Sequence, residues 1–301
     1  SIAKSAEKKA AFRDRLDKLV SKIKGVAPVY DAVVAYSGGK DSSYTLKILT
    51  EQYGIRLLSV TFDNHFTSPK AWENIGKITD ALEVDHITFK PPWSLVKELF
   101  RQTALEQIFP SPTVLRASSI CTACIGMVKS LALKTALEMS IPLVAFGWSP
   151  GQVPIQAAIL KNNPAMAKKN QRALFQRFPP EFQRRIHPYL IPEDYFVIYE
   201  NRFPYNTHPL ALFDYHEESI LKTLVAMGWE APSDTDTNST NCLLNAFANQ
   251  CHLDRYAFHP YVYEIANMVR QGVLNRDQGM EKIYAEQDKN LVKYAKKRLE
   301  I

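Results

Sequence analysis

Short apolar runs alternate with stretches of helical period through the first half of the chain. Four of these runs have the length of strands: 31–36, 55–63, 85–90 and 143–147. Helical patterns lie between them: 44–52, 71–82, 94–107 and 127–139. Strands that alternate with helices predict an α/β fold with a doubly wound, mostly parallel sheet, because right-handed crossovers connect parallel strands.

The alternation stops near residue 149. Residues 150–207 are rich in proline, lysine and arginine, which predicts a basic insertion or lid with short helices and a candidate fifth strand at 195–200. Residues 208–301 predict a mainly helical C-terminal region that completes the site. We therefore expect three units, the first being an α/β core over residues 1–149.

The composition is that of a water-soluble globular protein. The 301 residues are 46% hydrophobic and 23% charged, and the formal net charge is +6. No apolar run approaches the roughly 20 residues that span a bilayer, and the first residues lack the apolar segment of a signal peptide. Four cysteines do not make a disulfide framework. We expect a cytoplasmic protein without a membrane partner, and a homodimer is among the expected assemblies.

A basic amphipathic helix is predicted over residues 4–24. Apolar residues recur there at helical spacing, and lysines and arginines occupy most other positions. The basic face is either a contact for a polyanion such as tRNA, which the net charge permits, or a solvated face on a helix packed against the core. The spacing favours the second interpretation.

One polar loop follows the first predicted strand, and we call residues 37–42 the SGGKDS loop. It consists of Ser37, Gly38, Gly39, Lys40, Asp41 and Ser42. Its glycines let the backbone approach an anion, and the N–H groups of the helix that follows point at that anion. Lys40 adds positive charge, whereas Asp41 repels phosphate unless a metal such as Mg²⁺ lies between them. The loop therefore predicts a site for a nucleotide polyphosphate with ATP and Mg²⁺ as cofactors.

Two common phosphate motifs do not fit this loop, because the Walker motif needs four residues between its glycines and the dinucleotide fingerprint needs GxGxxG. The string SGGKDS after a hydrophobic strand resembles the PP-loop ATP pyrophosphatases, which have an adenine-nucleotide α-hydrolase-like fold. This resemblance implies that the loop binds the pyrophosphate that leaves ATP while AMP is transferred to a substrate oxygen. It also implies catalytic roles for Lys40 and Asp41.

Other strand ends supply further candidates for nucleotide binding. Ligands of open α/β sheets bind at the carboxyl ends of the strands, where the sequence places Thr61, Asp63 and Gly147. The resemblance implies that the end of the second strand lies near adenine and ribose. For Asp63, adenosine binding and an ordinary turn or helix-capping role both stay open.

The cysteines form a second group of candidates. Cys121 and Cys124 lie in a Cys-Thr-Ala-Cys motif that we place just before a helix, whose N-terminus favours thiolates. The spacing lets both sulfurs reach one metal. Three interpretations stay open: an iron–sulfur cluster that adds Cys242, a structural zinc with Cys251 or His252 as fourth ligand, or metal-free thiols that carry a persulfide.

The cysteine pattern resembles the tRNA 2-thiolation branch of the PP-loop enzymes. That resemblance implies that Cys121, Cys124 and Cys242 are the metal ligands of a 4Fe-4S cluster with one iron free for sulfide. The C-terminal part, through the spacing of Arg270 and Arg276, instead resembles the sugar amidotransferase branch of lipopolysaccharide biosynthesis.

Three functional hypotheses follow from these resemblances. In the first, a substrate carbonyl or amide oxygen is adenylated with release of pyrophosphate, and sulfur then displaces AMP. In this hypothesis tRNA is a candidate acceptor, and Cys121, Cys124 and Cys242 are catalytic. In the second, ammonia from a partner glutaminase displaces AMP from a nucleotide-linked N-acetyl sugar. In the third, the protein only binds ATP, as a sensor or partner.

Overall fold

The structure is a computed structural model that describes residues 2–301, with side chains from residue 6 onwards. One sheet contains the strands β1 Ala32–Ala35, β2 Leu57–Phe62, β3 Asp85–Phe89, β4 Leu143–Phe146, β5 Ile159–Lys161 and β6 Tyr205–Thr207. Its order is β3-β2-β1-β4-β6-β5. Strand β5 is antiparallel to β6, and the other neighbours are parallel. The prediction of a doubly wound, mostly parallel sheet is therefore confirmed.

Helices fill the connections and most of the C-terminal region. The α-helices of the described residues are α1 Ile2–Ile23, α2 Lys40–Lys47, α3 Pro69–Leu82, α4 Trp93–Leu105, α5 Ser119–Glu138, α6 Pro164–Phe175, α7 Pro180–Ile186, α8 Tyr195–Ile198, α9 Glu217–Ala226, α10 Asn245–Tyr256, α11 Val262–Arg270, α12 Arg276–Tyr284 and α13 Lys289–Leu299.

Strand β1 lies at the centre of the sheet and is buried on both faces. In register it pairs Val34 with Ser59 on β2 and with Ala145 on β4. Val34 and Ala145 pack into one apolar cluster, whereas Val33 and Val144 pack into a second cluster on the opposite face. Each fully buried aliphatic side chain contributes about 1.5–3 kcal/mol, so the centre of the sheet is a rigid base for the loops that follow β1 and β4.

The basic helix α1 belongs to the first of these clusters. Leu16, Leu19, Val20 and Ile23 are buried in it, while Lys18, Lys22 and the preceding Arg13 and Arg15 are exposed. The expected packing of this helix against the core is therefore confirmed, and the role of its basic face stays a prediction.

Two elements differ from the sequence-based expectation. The candidate strand at 195–200 is wrong, because this segment forms the short helix α8, in which Phe196 is buried while Val197 and Ile198 are exposed. The cysteine motif does not precede its helix, since α5 begins at Ser119 and contains both cysteines. Ser118 caps this helix by accepting a hydrogen bond from the Cys121 amide at 3.1 Å, an N-cap signal that the apolar spacing did not include.

Helix α5 is also the one helix of residues 2–301 whose length and composition would allow it to cross a membrane. More than half of its apolar window is buried inside the protein. It packs against β1, β2 and β4, and it carries Cys121 and Cys124 at its N-terminal end.

Gly147 follows β4 directly, where the chain passes the start of α2. A Cβ atom at this position would lie 2.4 Å from Ser42 Cα. We expect Gly147→Ala to lower the free energy of unfolding by about 1–3 kcal/mol, because backbone atoms must move to relieve the overlap. Gly76→Ala is the matched control, since Gly76 in α3 has open space around it and should be neutral or gain up to about 1 kcal/mol. Urea unfolding of both variants tests this, and equal stabilities would contradict it.

Candidate active site

The SGGKDS loop runs from the end of β1 into the first turn of α2, at the point where the strand order reverses, which is where ligands of open α/β sheets bind. Gly38 has a φ of 73°, and a Cβ atom there would lie 2.2 Å from the Ala71 carbonyl oxygen, so glycine is required. Trp229 Nε1 donates to the Gly38 carbonyl at 2.9 Å. The loop is therefore held by α3 on one side and by the C-terminal region on the other.

Two hydroxyl groups and the helix N-terminus face the loop interior. Ser37 Oγ and Ser42 Oγ lie 3.1 Å apart, and Ser42 Oγ also donates to the Gly39 carbonyl at 3.1 Å. Gly39 is the N-cap of α2 and offers no side-chain cap. The Lys40 amide donates to Thr240 Oγ1 at 3.2 Å. A side-chain oxygen thus occupies a position that a phosphate oxygen would take.

Lys40 lies at the centre of a buried polar network. Its Nζ lies 2.8 Å from Asp41 Oδ1 and 3.4 Å from Glu217 Oε1, and it also contacts the hydroxyl of Tyr215. Tyr215 donates to Asp41 Oδ1 at 2.7 Å. Burial lowers the pKa of Lys40, but the charges of Asp41 and Glu217 outweigh it and raise the pKa above its ordinary value. The ammonium group is therefore charged at neutral pH.

Sequence reasoning missed Tyr215 and Glu217, although both follow an apolar segment that precedes a predicted helix. Burial, followed by the charge of Asp41, raises the pKa of the Tyr215 hydroxyl. Tyr215 therefore stays protonated and can donate to Asp41 while its oxygen accepts from Lys40.

The other predicted nucleotide residues have partners of their own. Thr61 Oγ1 donates to the Tyr36 carbonyl at 2.7 Å, which joins β2 to the start of the SGGKDS loop. Asp63 accepts from the His65 amide at 2.8 Å and pairs with Lys90 Nζ at 3.2 Å, so it takes the turn role that the sequence left open. Adenosine binding by Asp63 stays a prediction.

Three cysteines converge from two parts of the chain. Asn64 Nδ2 lies 3.7 Å from both Cys124 Sγ and Cys242 Sγ. Cys242 lies in a short antiparallel pairing with Thr67, which brings the segment after β2 beside the segment before α10. Burial raises the pKa of the Cys121 thiol to about 11, and the nearby Cys242 adds to this shift. Burial therefore favours the protonated thiol of Cys121, which is the opposite of the thiolate that we expected at a helix N-terminus.

The donor set of Cys121, Cys124 and Cys242 suits soft metals, since iron–sulfur clusters are bound by thiolates. Within residues 2–301, however, no three His, Cys, Asp or Glu side chains are arranged around the position of a single metal ion. Neither the three-cysteine set nor a four-ligand zinc site with Cys251 or His252 is therefore preformed around one metal ion in these residues. A cluster is larger than one ion, so thiols too far apart for one zinc can still bind separate irons.

A cavity of about 430 Å³ opens between α5 and the residues that follow β4, a volume suited to a small ligand. Its polar and aromatic lining includes Thr122, Lys129, Trp148, Gln152, Asn170 and Glu264. Ser149 Oγ donates to Glu264 Oε1 at 2.5 Å. Burial, with the charge of Asp41 in addition, raises the pKa of Glu264 to about 7.

A more open groove of about 760 Å³ lies along α6 and α7 and contains none of the predicted site residues.

Fold and loop together describe an α/β protein with the SGGKDS loop at the carboxyl end of its central strand. No family model matches the chain. The uncharacterized protein MJ1599 of Methanocaldococcus jannaschii is 21% identical over 272 residues, which are 90% of this chain and 79% of that protein.

Three solved structures show low similarity over most of the chain. The U34-tRNA thiolase NcsA from Methanococcus maripaludis, with its 4Fe-4S cluster, has a TM-score of 0.39 and 14% identity, covering 97% of this chain and 80% of its own. NMN synthetase from Francisella tularensis has a TM-score of 0.43 and 11% identity, covering 97% and 96%. A predicted tRNA methyltransferase subunit from Methanocaldococcus jannaschii has a TM-score of 0.34 and 16% identity, covering 77% and 90%.

These three proteins are similar to this chain at low identity only. At such TM-scores and identities they decide neither the substrate nor the chemistry of this chain. The function is therefore inferred from the residues of its own site.

The raised pKa of Glu264 predicts a pH-dependent stability. Between its ordinary pKa of 4.5 and about 7, the folded protein binds a proton that the unfolded chain has lost, so this group makes stability fall as pH rises. Each unit of pKa corresponds to about 1.4 kcal/mol, so the loss approaches about 3–4 kcal/mol. Glu264→Gln keeps an acceptor for Ser149 and should remove this loss.

Urea unfolding of both proteins at about pH 5 and about pH 8 measures the effect. Glu264→Gln should gain stability relative to the unchanged protein at the higher pH. Glu218→Gln, at an exposed position of α9, should leave the pH dependence unaltered. A constant difference between Glu264→Gln and the unchanged protein at both pH values would contradict the prediction.

Proposed function

We propose that this protein is an adenylating enzyme that activates a substrate carbonyl or amide oxygen with ATP, releases pyrophosphate and then transfers sulfur to the activated carbon. The observation that carries the proposal is the position of Thr240. Its hydroxyl accepts from the Lys40 amide of the SGGKDS loop, and two residues later Cys242 lies beside Asn64 and Cys124. The site for the leaving pyrophosphate and the thiols are thus joined by a three-residue segment.

The SGGKDS loop supplies the electrostatic part of the first step. Negative charge builds up on the pyrophosphate as the bond between the α and β phosphates breaks. The charged Lys40, the amides at the start of α2 and the hydroxyls of Ser37 and Ser42 are placed to bind that charge. The proposed roles need no large rearrangement of the backbone, because Trp229 and α3 already hold the loop.

Asp41 and Glu217 balance the charge of the loop. Their carboxylates pair with the ammonium group of Lys40. When Mg²⁺ accompanies ATP, Asp41 is the carboxylate placed to hold it, since Mg²⁺ prefers oxygen ligands shared with phosphates. Lys40 is then free to turn from Asp41 toward the phosphates.

The thiols supply the second step. Cys121, Cys124 and Cys242 are the residues that would hold an iron–sulfur cluster, which when bound supplies the site from which sulfur is delivered. The protein itself positions the thiols, because Asn64 contacts both Cys124 and Cys242 and fixes them relative to each other. Apolar neighbours, including Phe66 and Ile120, shield this group from water.

Lys40→Ala tests the first step. We expect the release of pyrophosphate from ATP, with total tRNA and sulfide as co-substrates, to fall about a hundredfold or more, because a donor to the leaving group is lost. Lys47→Ala at the other end of α2 is the matched control and should keep a near-normal rate. Chromatographic assay of AMP and pyrophosphate gives both rates. A near-normal rate for Lys40→Ala would show that the SGGKDS loop does not act in the release of pyrophosphate.

Replacing single cysteines with serine tests the second step. After anaerobic reconstitution with iron and sulfide, we expect a brown protein, and Cys121→Ser, Cys124→Ser or Cys242→Ser should each lose most of the visible absorbance. Cys251→Ser should keep it, because Asn64 contacts Cys124 and Cys242, whereas the charges that act on Cys251 come from Arg255, Asp254 and Lys296 and not from the other thiols. A colourless protein with intact thiols, or equal losses in all four variants, would contradict the cluster assignment.

AMP formation with ammonium and a nucleotide-linked sugar, but not with sulfide, would favour the amidotransferase hypothesis.

A further inference from the structure

We propose that the cavity beside α5 binds the acceptor of the reaction, and that Glu264 is the base that removes a proton from the nitrogen next to the acceptor carbonyl. The inference deepens the proposed function and rests on it for the reaction step. The ligand class is a lactam, a cyclic amide with an N–H beside its C=O, that carries an anionic substituent.

The cavity lies between the two halves of the site. Thr122 in its wall is the residue between Cys121 and Cys124 on α5. Trp148 in its wall follows Gly147, where an added Cβ atom would overlap Ser42 of the SGGKDS loop. An acceptor in this cavity is therefore adjacent to the nucleotide and to the thiols, as both steps require.

Glu264 is the titratable carboxyl group that lines this cavity within the described residues. Its Oε1 is fixed by the hydroxyl of Ser149, and Gln152 also hydrogen-bonds to the carboxyl group. Burial raises its pKa to about 7, so near neutrality the group both accepts and returns a proton.

The proposed step uses this proton transfer. An amide oxygen is a weak nucleophile until its N–H proton is removed. As the lactam oxygen forms a bond to the α-phosphorus of ATP, the nitrogen proton moves to Glu264 and a C=N bond replaces the C=O bond. The bond between the α-phosphorus and the bridging oxygen breaks, and its electron pair leaves with pyrophosphate.

The charges around the cavity define the rest of the ligand. Arg116 and Lys129 line it, and Lys129 Nζ lies 4.6 Å from the centre of the Trp148 ring. These two cations suit an anionic substituent such as carboxylate or phosphate. The other ionisable groups that exchange charge effects with Glu264 are Lys40 and Asp41 from α2, Tyr215 before α9 and Tyr261 next to α11.

Calorimetric titration without nucleotide tests the cavity directly. The probes are orotate, which is an anionic lactam, uracil, which lacks the anionic group, and fully N-methylated uracil, which lacks the N–H. We expect orotate to bind most tightly and the N-methylated compound not to bind. Because the carboxylate form accepts the N–H, orotate affinity should rise with pH through about 7 and binding should release a fraction of a proton. Buffers of different ionisation enthalpy measure that release.

Variants separate the two parts of the proposal. Glu264→Gln should abolish proton release and weaken orotate binding about tenfold above neutral pH, because a charged hydrogen bond is lost. Lys129→Ala should weaken binding of orotate but not of uracil. The exposed Glu218→Gln is the control and should match the unchanged protein.

Absence of orotate binding at millimolar concentration, or proton release that survives in Glu264→Gln, would overturn the inference. The titration contains no ATP, so its outcome is independent of the proposed function. If the protein binds orotate with release of a proton but never releases pyrophosphate from ATP, the assignment of the cavity is supported and the adenylation step is contradicted.

Discussion

The structure depends on one buried charge, the ammonium group of Lys40. A charge of this kind is stable in the interior only when partners replace the water it has lost. Asp41 and Glu217 neutralise it and Tyr215 bridges it to Asp41. Since Tyr215 and Glu217 come from beyond the last strand, the loop after the first strand is complete only when the C-terminal region has folded against it.

The strand order explains why two distant pieces of chain meet at this charge. Strand β1 is followed by the SGGKDS loop and its neighbour β4 by Gly147, so both carboxyl ends open at the same point of the sheet. The segment around Thr240 then crosses this point and continues to Cys242. The reversal of strand order between β1 and β4 therefore places the SGGKDS loop, the cavity beside α5 and the thiols near one another.

Features encoded locally could be predicted from the sequence. The four strands from β1 to β4 and the SGGKDS loop follow from apolar runs and glycine positions, because both act over a few residues. The helix at Tyr195–Ile198 was mistaken for a strand, since four apolar residues satisfy either period. Tyr215, Glu217 and Glu264 were missed because their roles arise from tertiary contacts with residues more than a hundred positions away.

Burial of the thiols bears on what they do. A nucleophilic cysteine needs a lowered pKa, yet burial raises the pKa of Cys121 to about 11 and also that of Cys242. Free thiols in this setting are poor nucleophiles near neutral pH. Metal ligands are different, because the metal itself displaces the proton and binding then releases protons. The same burial disfavours free thiolates in this group, so under the proposed function sulfur delivery would rest with the group that these thiols would hold.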